Sequence, residues 1–124
     1  MKKIIEVFRK RFGISYIPRS YVKDLADSAN IISIISEGES RPAWKPNQNV
    51  LELTDPGFGL NGEDHQKAMA FLDSLNGENL FIHCYMGQIR SKSMAKWLQH
   101  HSKQYRIACH STDFCMARLV KVSF

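Results

Sequence analysis

Short, nearly unbroken apolar runs alternate along this chain with stretches in which apolar residues recur every three or four positions. Ile31-Ile32-Ser33-Ile34-Ile35-Ser36 is rich in β-branched residues and broken only by serines, as expected of a strand covered on both faces in a parallel sheet. Asn79-Leu80-Phe81-Ile82-His83 has the same character and predicts a second buried strand. Asn49 to Leu53 predicts another, and Ile14-Ser15-Tyr16-Ile17 is a short β-prone run stopped by Pro18.

Between these runs the period changes. Ser20 is a candidate cap for a helix through about Asn30, with Val22, Leu25, Ala26 and Ala29 on one face. Glu37 to Asn47 is rich in breakers and predicts a loop, and Asp55-Pro56-Gly57-Phe58-Gly59 predicts a turn. Asn61 should cap a helix carrying Ala68, Phe71, Leu72 and Leu75, with Glu63 and Asp64 placed for its dipole and Gly77 ending it. From Ser91, the spacing of Met94, Ala95 and Leu98 predicts a further helix into His100-His101. Beyond Tyr105-Arg106-Ile107-Ala108, Ser111 is a candidate cap for a last short helix through Leu119. Strands alternating with helices predict an α/β fold with a mainly parallel central sheet flanked by helices, and residues 1–124 as a single domain.

Composition narrows this picture. The chain is 44% hydrophobic, in the ordinary globular range. No stretch approaches the roughly 20 apolar residues that span a bilayer, and the basic amino terminus is interrupted before a signal-peptide core could form. A cytoplasmic protein without a membrane partner is the expectation. A net charge of +5 favours anionic partners such as phosphorylated proteins, small phosphomonoesters or RNA, and equally serves solubility. Of the three cysteines, none falls in a C-x-x-C pair. Cys109 and Cys115 are expected to pack as small hydrophobes, whereas Cys84 follows a histidine at the end of a predicted strand.

The segment His83-Cys84-Tyr85-Met86-Gly87-Gln88-Ile89-Arg90-Ser91 joins that strand to a helix. Phosphate monoester hydrolysis needs a nucleophile aimed at phosphorus and donors for oxygens whose charge must be held through transfer. A loop entering a helix offers backbone N–H groups and the positive end of the helix dipole. The same field lowers a cysteine's pKa from about 8.5 to roughly 3.5–7.5. Gly87 allows close backbone approach to an anion, and the planar fork of Arg90 suits two phosphate oxygens. Ser91 is placed to donate toward the Cys84 sulfur.

His83-Cys84, five residues, then Arg90-Ser91 resembles the H-C-x5-R-S/T loop of the cysteine-based protein tyrosine phosphatase superfamily, with that family's glycine at Gly87. Over residues 49–100 the order of elements is similar to compact dual-specificity-like and bacterial or viral members. The resemblance implies a phosphatase fold and a phosphocysteine intermediate on Cys84. It implies phosphoryl binding by Arg90 and by the loop residues Tyr85, Met86, Gly87, Gln88 and Ile89, a loop-ordering role for His83, and no metal or other cofactor. Ile89, bulky where the family has a small residue, and Gln88 depart from the pattern and leave substrate shape open.

A leaving group needs a proton, and Asp55, in the turn after a neighbouring predicted strand, is the candidate general acid. An Asx-turn before Pro-Gly is its non-catalytic alternative, and Glu63 and Asp64 read as helix-start charges. Trp44, Phe58 and Tyr85 are candidates for lining an aromatic phosphoester pocket or for filling core. His100, His101 and His110 lack metal-ligand spacing. The expected activity is hydrolysis of protein phosphotyrosine, with phosphoserine and phosphothreonine as further substrates. RNA 5′-triphosphate hydrolysis or another non-protein phosphatase activity of the same fold, rhodanese-like sulfur transfer and non-catalytic phosphate binding are the alternatives.

Overall fold

The computed structural model describes residues 12–85 and 89–109. Five strands form one all-parallel sheet: β1 (Phe12–Pro18), β2 (Asn30–Ser36), β3 (Asn49–Asp55), β4 (Leu80–Cys84) and β5 (Tyr105–Cys109). Their spatial order is β3-β2-β4-β1-β5. Two α-helices, α1 (Gly62–Asp73) and α2 (Arg90–His101), make the crossovers that precede and follow β4.

The period-two geometry of the strands sorts their side chains into two unlike layers. On one face Ile14, Ile32, Ile34, Leu80, Ile82 and Cys84 pack with Ala68, Leu72 and Leu75 from α1 and its C-terminal turn, and with Met94, Ala95 and Leu98 of α2. On the other, Ile17, Ile31 and Phe81 pack against Leu25, Ala26 and Ala29, with Trp44 and Tyr21 at the margin. The first face is covered by regular helix, the second by irregular chain.

That second cover departs from the helix expected over Ser20 to Asn30. A 3-10 helix spans only Arg19–Asp24, after Pro18 and with no side-chain cap, and Leu25 is already extended. The apolar residues singled out by spacing are buried all the same. The carbonyls of Leu25 and Ala26 accept from Lys45 Nζ (2.6 Å) and Gln48 Nε2 (2.9 Å). Satisfied from the following loop, they need no helical N–H groups.

The helices follow their sequence signals closely. Asn61 caps α1 in a reciprocal capping box: its side chain accepts from Asp64 N, and the Asp64 carboxylate accepts from Asn61 N. Asp64 is thus bound to the helix start. Past α1, Gly77 turns the chain toward β4 at φ +88°, where a Cβ would meet the Phe12 ring at 2.4 Å. β3 runs two residues further than Leu53, taking in Asp55, and β5 forms the edge beside β1. The helix expected from Ser111, together with Cys115 and His110, lies outside the described residues.

Candidate active site

Parallel pairing brings the carboxyl ends of four strands side by side. Pro18 of β1 is in register with Cys84 of β4, and Ser36 of β2 with Asp55 of β3. Such an edge is where open α/β sheets gather binding groups. A cavity of about 400 Å³ opens there, lined by Ser36, Glu39, Cys84, Tyr85, Ile89 and Arg90.

Cys84 closes β4, only 3% exposed, and its sulfur lies 3.2 Å from the Ser91 hydroxyl. Ser91 is in the first turn of α2, which no side chain caps. The sulfur therefore sits at the positive end of that helix's dipole, and the Ser91 hydroxyl is within reach to donate to a thiolate.

Arg90 begins α2 and reaches across the cavity floor to the ends of β3 and β2. Its Nε donates to Asp55 Oδ2 at 2.6 Å and its Nη1 to Ser36 Oγ at 2.7 Å. The other oxygen of the carboxylate, Oδ1, accepts from Gly57 N (2.7 Å) and Gly59 N (2.9 Å). Gly57 and Gly59 stand at φ +122° and +97°, conformations that glycine adopts without strain, so the turn is wrapped around the carboxylate. The Gly57 N–H bond, with that of Gly59 and the Arg90 guanidinium, holds the Asp55 carboxyl below its usual range despite burial. Arg90 thus joins Asp55 to the Cys84 loop across β2, which separates β3 from β4, and the contacts oppose the protonated acid that the sequence suggested. Three N–H donors and a neighbouring positive charge favour the anion.

A second arginine stands on the opposite side. Arg19, just past β1, donates its backbone N–H to Tyr85 O (3.2 Å). Its Nη1 donates to Glu39 Oε1 at 2.9 Å, and Nη2 donates to Ser40 Oγ. Glu39 also accepts from Ser36 N, and these contacts outweigh desolvation to keep its pKa low. Burial is the largest single influence on Glu39 and opposes that shift.

His83 points to the other side of the sheet from Cys84. It is fully buried, with Nε2 2.7 Å from Ser33 Oγ and its ring 5.8 Å from that of Trp44. Desolvation, aided by the Arg19 charge, lowers its pKa to about 4. A neutral imidazole buried there, on the face away from Cys84, brings neither charge nor protons to the cavity.

Of the three aromatic residues considered for the pocket, Tyr85 alone lines it among the described residues. Trp44 joins the loop-covered core, and Phe58 projects to solvent at 92% exposure. Ile89 stands at the rim, 78% exposed. Met86, Gly87 and Gln88, expected to bind phosphate, lie outside the described residues. Ser36, Glu39 and Arg19 are the site residues that sequence reasoning missed. Their positions depend on strand register, and the only local signal was a serine ending an aliphatic strand.

Among the described residues no cluster of three or more His, Cys, Asp and Glu side chains is arranged to hold a metal, and no helix is long and apolar enough to cross a membrane. No protein-family model matches the chain, and no curated protein or solved structure matches it either.

Proposed function

We propose that the protein is a cysteine-dependent phosphatase acting on phosphomonoesters, above all protein phosphotyrosine, through a phosphocysteine intermediate on Cys84. The observation that carries this reading is the convergence of the Cys84 sulfur, the Ser91 hydroxyl and the start of α2, with the Arg90 guanidinium lining the same cavity. The likeness of His83-Cys84 through Arg90-Ser91 to the loop of cysteine-based tyrosine phosphatases supports it.

In this scheme the Cys84 thiolate attacks phosphorus, forming an S–P bond as the bond to the ester oxygen breaks and its electron pair leaves with that oxygen. Arg90 offers N–H groups in one plane to the phosphoryl oxygens, whose charge must be matched through transfer. Water then attacks phosphorus, the S–P pair returns to sulfur, and Ser91 stabilises the restored thiolate by donating a hydrogen bond. Inorganic phosphate is released and the enzyme is regenerated.

The test is hydrolysis of an aryl phosphate in the presence of chelator, comparing the parent with Cys84→Ser. Turnover should fall by at least about 10⁴-fold, the scale on which loss of a nucleophile is felt, and vanadate should inhibit the parent. Turnover persisting in Cys84→Ser would overturn the covalent mechanism.

A further inference from the structure

The Asp55 carboxylate is occupied in a way that a proton donor's would not be. Of its roughly four lone-pair sites, three accept N–H donors, two from the Gly57–Gly59 turn and one from Arg90 Nε. A proton added to either oxygen would weaken bonds that orient the carboxylate, and one of those bonds is charge-assisted. Asp55 is 3% exposed, at the end of a strand, so little freedom remains for it to swing toward a leaving group.

The same contacts fix the guanidinium. With Nε–H directed to Asp55 and one Nη1–H directed to Ser36 Oγ, the plane of Arg90 is set by the ends of two strands. The remaining donors of its five lie on the two terminal nitrogens, so a phosphoryl group must be gripped end-on. Rotation of the fork away from that orientation would break both anchors.

From this arrangement we infer that Asp55 is the positioning residue of Arg90 rather than the proton donor, and that the enzyme is selective for phosphoryl groups on oxygens that depart as stable anions: aryl phosphates and phosphoanhydrides over alkyl phosphates. The inference rests on the phosphatase reading and narrows it. In the first step the leaving oxygen takes the electron pair of the broken P–O bond and departs as phenolate or phosphate anion, with no proton from Asp55 and with Glu39, the other carboxylate at the cavity, held by Arg19 and Ser36 N. Alkoxides are poor leaving groups without a proton, so phosphoserine and phosphothreonine fall outside the range.

The experiment is a leaving-group series with the intact protein: substituted phenyl phosphates from strongly to weakly acidic phenols, and an alkyl phosphate, each with the parent and with Asp55→Asn. The parent's kcat/KM is expected to fall steeply along the series, with alkyl phosphate hydrolysed least. Asp55→Asn should lower every member by a similar factor, on the order of 10- to 100-fold, the worth of a hydrogen bond to a charged group. It should also weaken inorganic phosphate binding by a comparable factor. A shallow parent series that becomes steep in Asp55→Asn would overturn the inference, because a general acid matters most for the poorest leaving groups. Unchanged phosphate affinity in Asp55→Asn would overturn the positioning role. The parent series alone decides selectivity should the variant not fold. If the parent hydrolyses no phosphate ester, the phosphatase reading itself fails, and phosphate affinity in the two proteins still tests whether Asp55 positions Arg90.

Discussion

Consecutive residues of β4, His83 and Cys84, open onto opposite faces of the sheet, and the two faces solve burial differently. Cys84 belongs to the face packed by α1 and α2, where the interior is mainly aliphatic and a polar partner, Ser91, comes from a helix start. His83 belongs to the face covered by the 3-10 segment and the loop around Trp44, where the core is smaller and a titratable ring lies fully buried beside Ser33. The helix-covered face supplies rigidity and the field at the sulfur. The loop-covered face holds a buried titratable ring beside Ser33 and Trp44.

The comparison breaks if the two faces respond alike to perturbation. Removing bulk from the helix-covered side should have the largest effect: Ile82→Ala leaves a cavity in fully buried aliphatic packing and should cost about 2–5 kcal/mol, with the loss the same at pH 7 and pH 5 in denaturant titrations. A loss that depended on pH would tie this face to a titrating group.

The loop-covered side should show the reverse. His83 is held neutral in the fold with a pKa of about 4, whereas in the unfolded chain it returns toward 6.5. Between these values the unfolded state binds the extra proton, so His83's contribution is complete above about pH 6.5 and is lost as pH falls toward about 4. The parent should therefore lose on the order of 3 kcal/mol across that window relative to His83→Gln. Parallel stability curves for the two proteins would remove the distinction between the faces. The smallest effect sharpens it: Ser33→Ala strips the buried imidazole of its Nε2 partner and should destabilise by about 1–2 kcal/mol at pH 7, measured by thermal or denaturant unfolding.

The same contrast explains what could be read in the sequence. The helix-covered face is local in its logic. Asn61 with Asp64, and Met94, Ala95 and Leu98, declare a cap and a buried stripe within one or two turns. Isoleucine-rich β2 and apolar β4 declare buried strands just as plainly. Cys84, Arg90 and Ser91 were legible because a strand-loop-helix unit keeps them close in the chain. The cover of the other face was not, since Val22, Leu25, Ala26 and Ala29 satisfy helical spacing while the chain breaks into a 3-10 helix and turns, the carbonyls of Leu25 and Ala26 being bound by Lys45 and Gln48, distant in sequence. The downward pKa shift of Asp55 was illegible for a similar reason: its partners Gly57 and Gly59 are local, but Arg90 reaches it only through the register that sets β2 between β3 and β4.

The position of β1 bears on the order in which the molecule can be made. It lies between β4 and β5 and pairs with no other strand, its Ile14 lying opposite Leu80. Of the described strands it comes first in the chain while its partners β4 and β5 come last, so its pairing must follow extension of the chain through β2, β3 and α1. The β2–β3 pair can close across residues 37–48 alone, whereas the insertion of β1 must await the strand that ends in Cys84. Pro18 and Arg19 reach Cys84 and Tyr85 by that insertion. The surroundings of Cys84 thus depend on a pairing between two strands that β2, β3 and α1 separate along the chain.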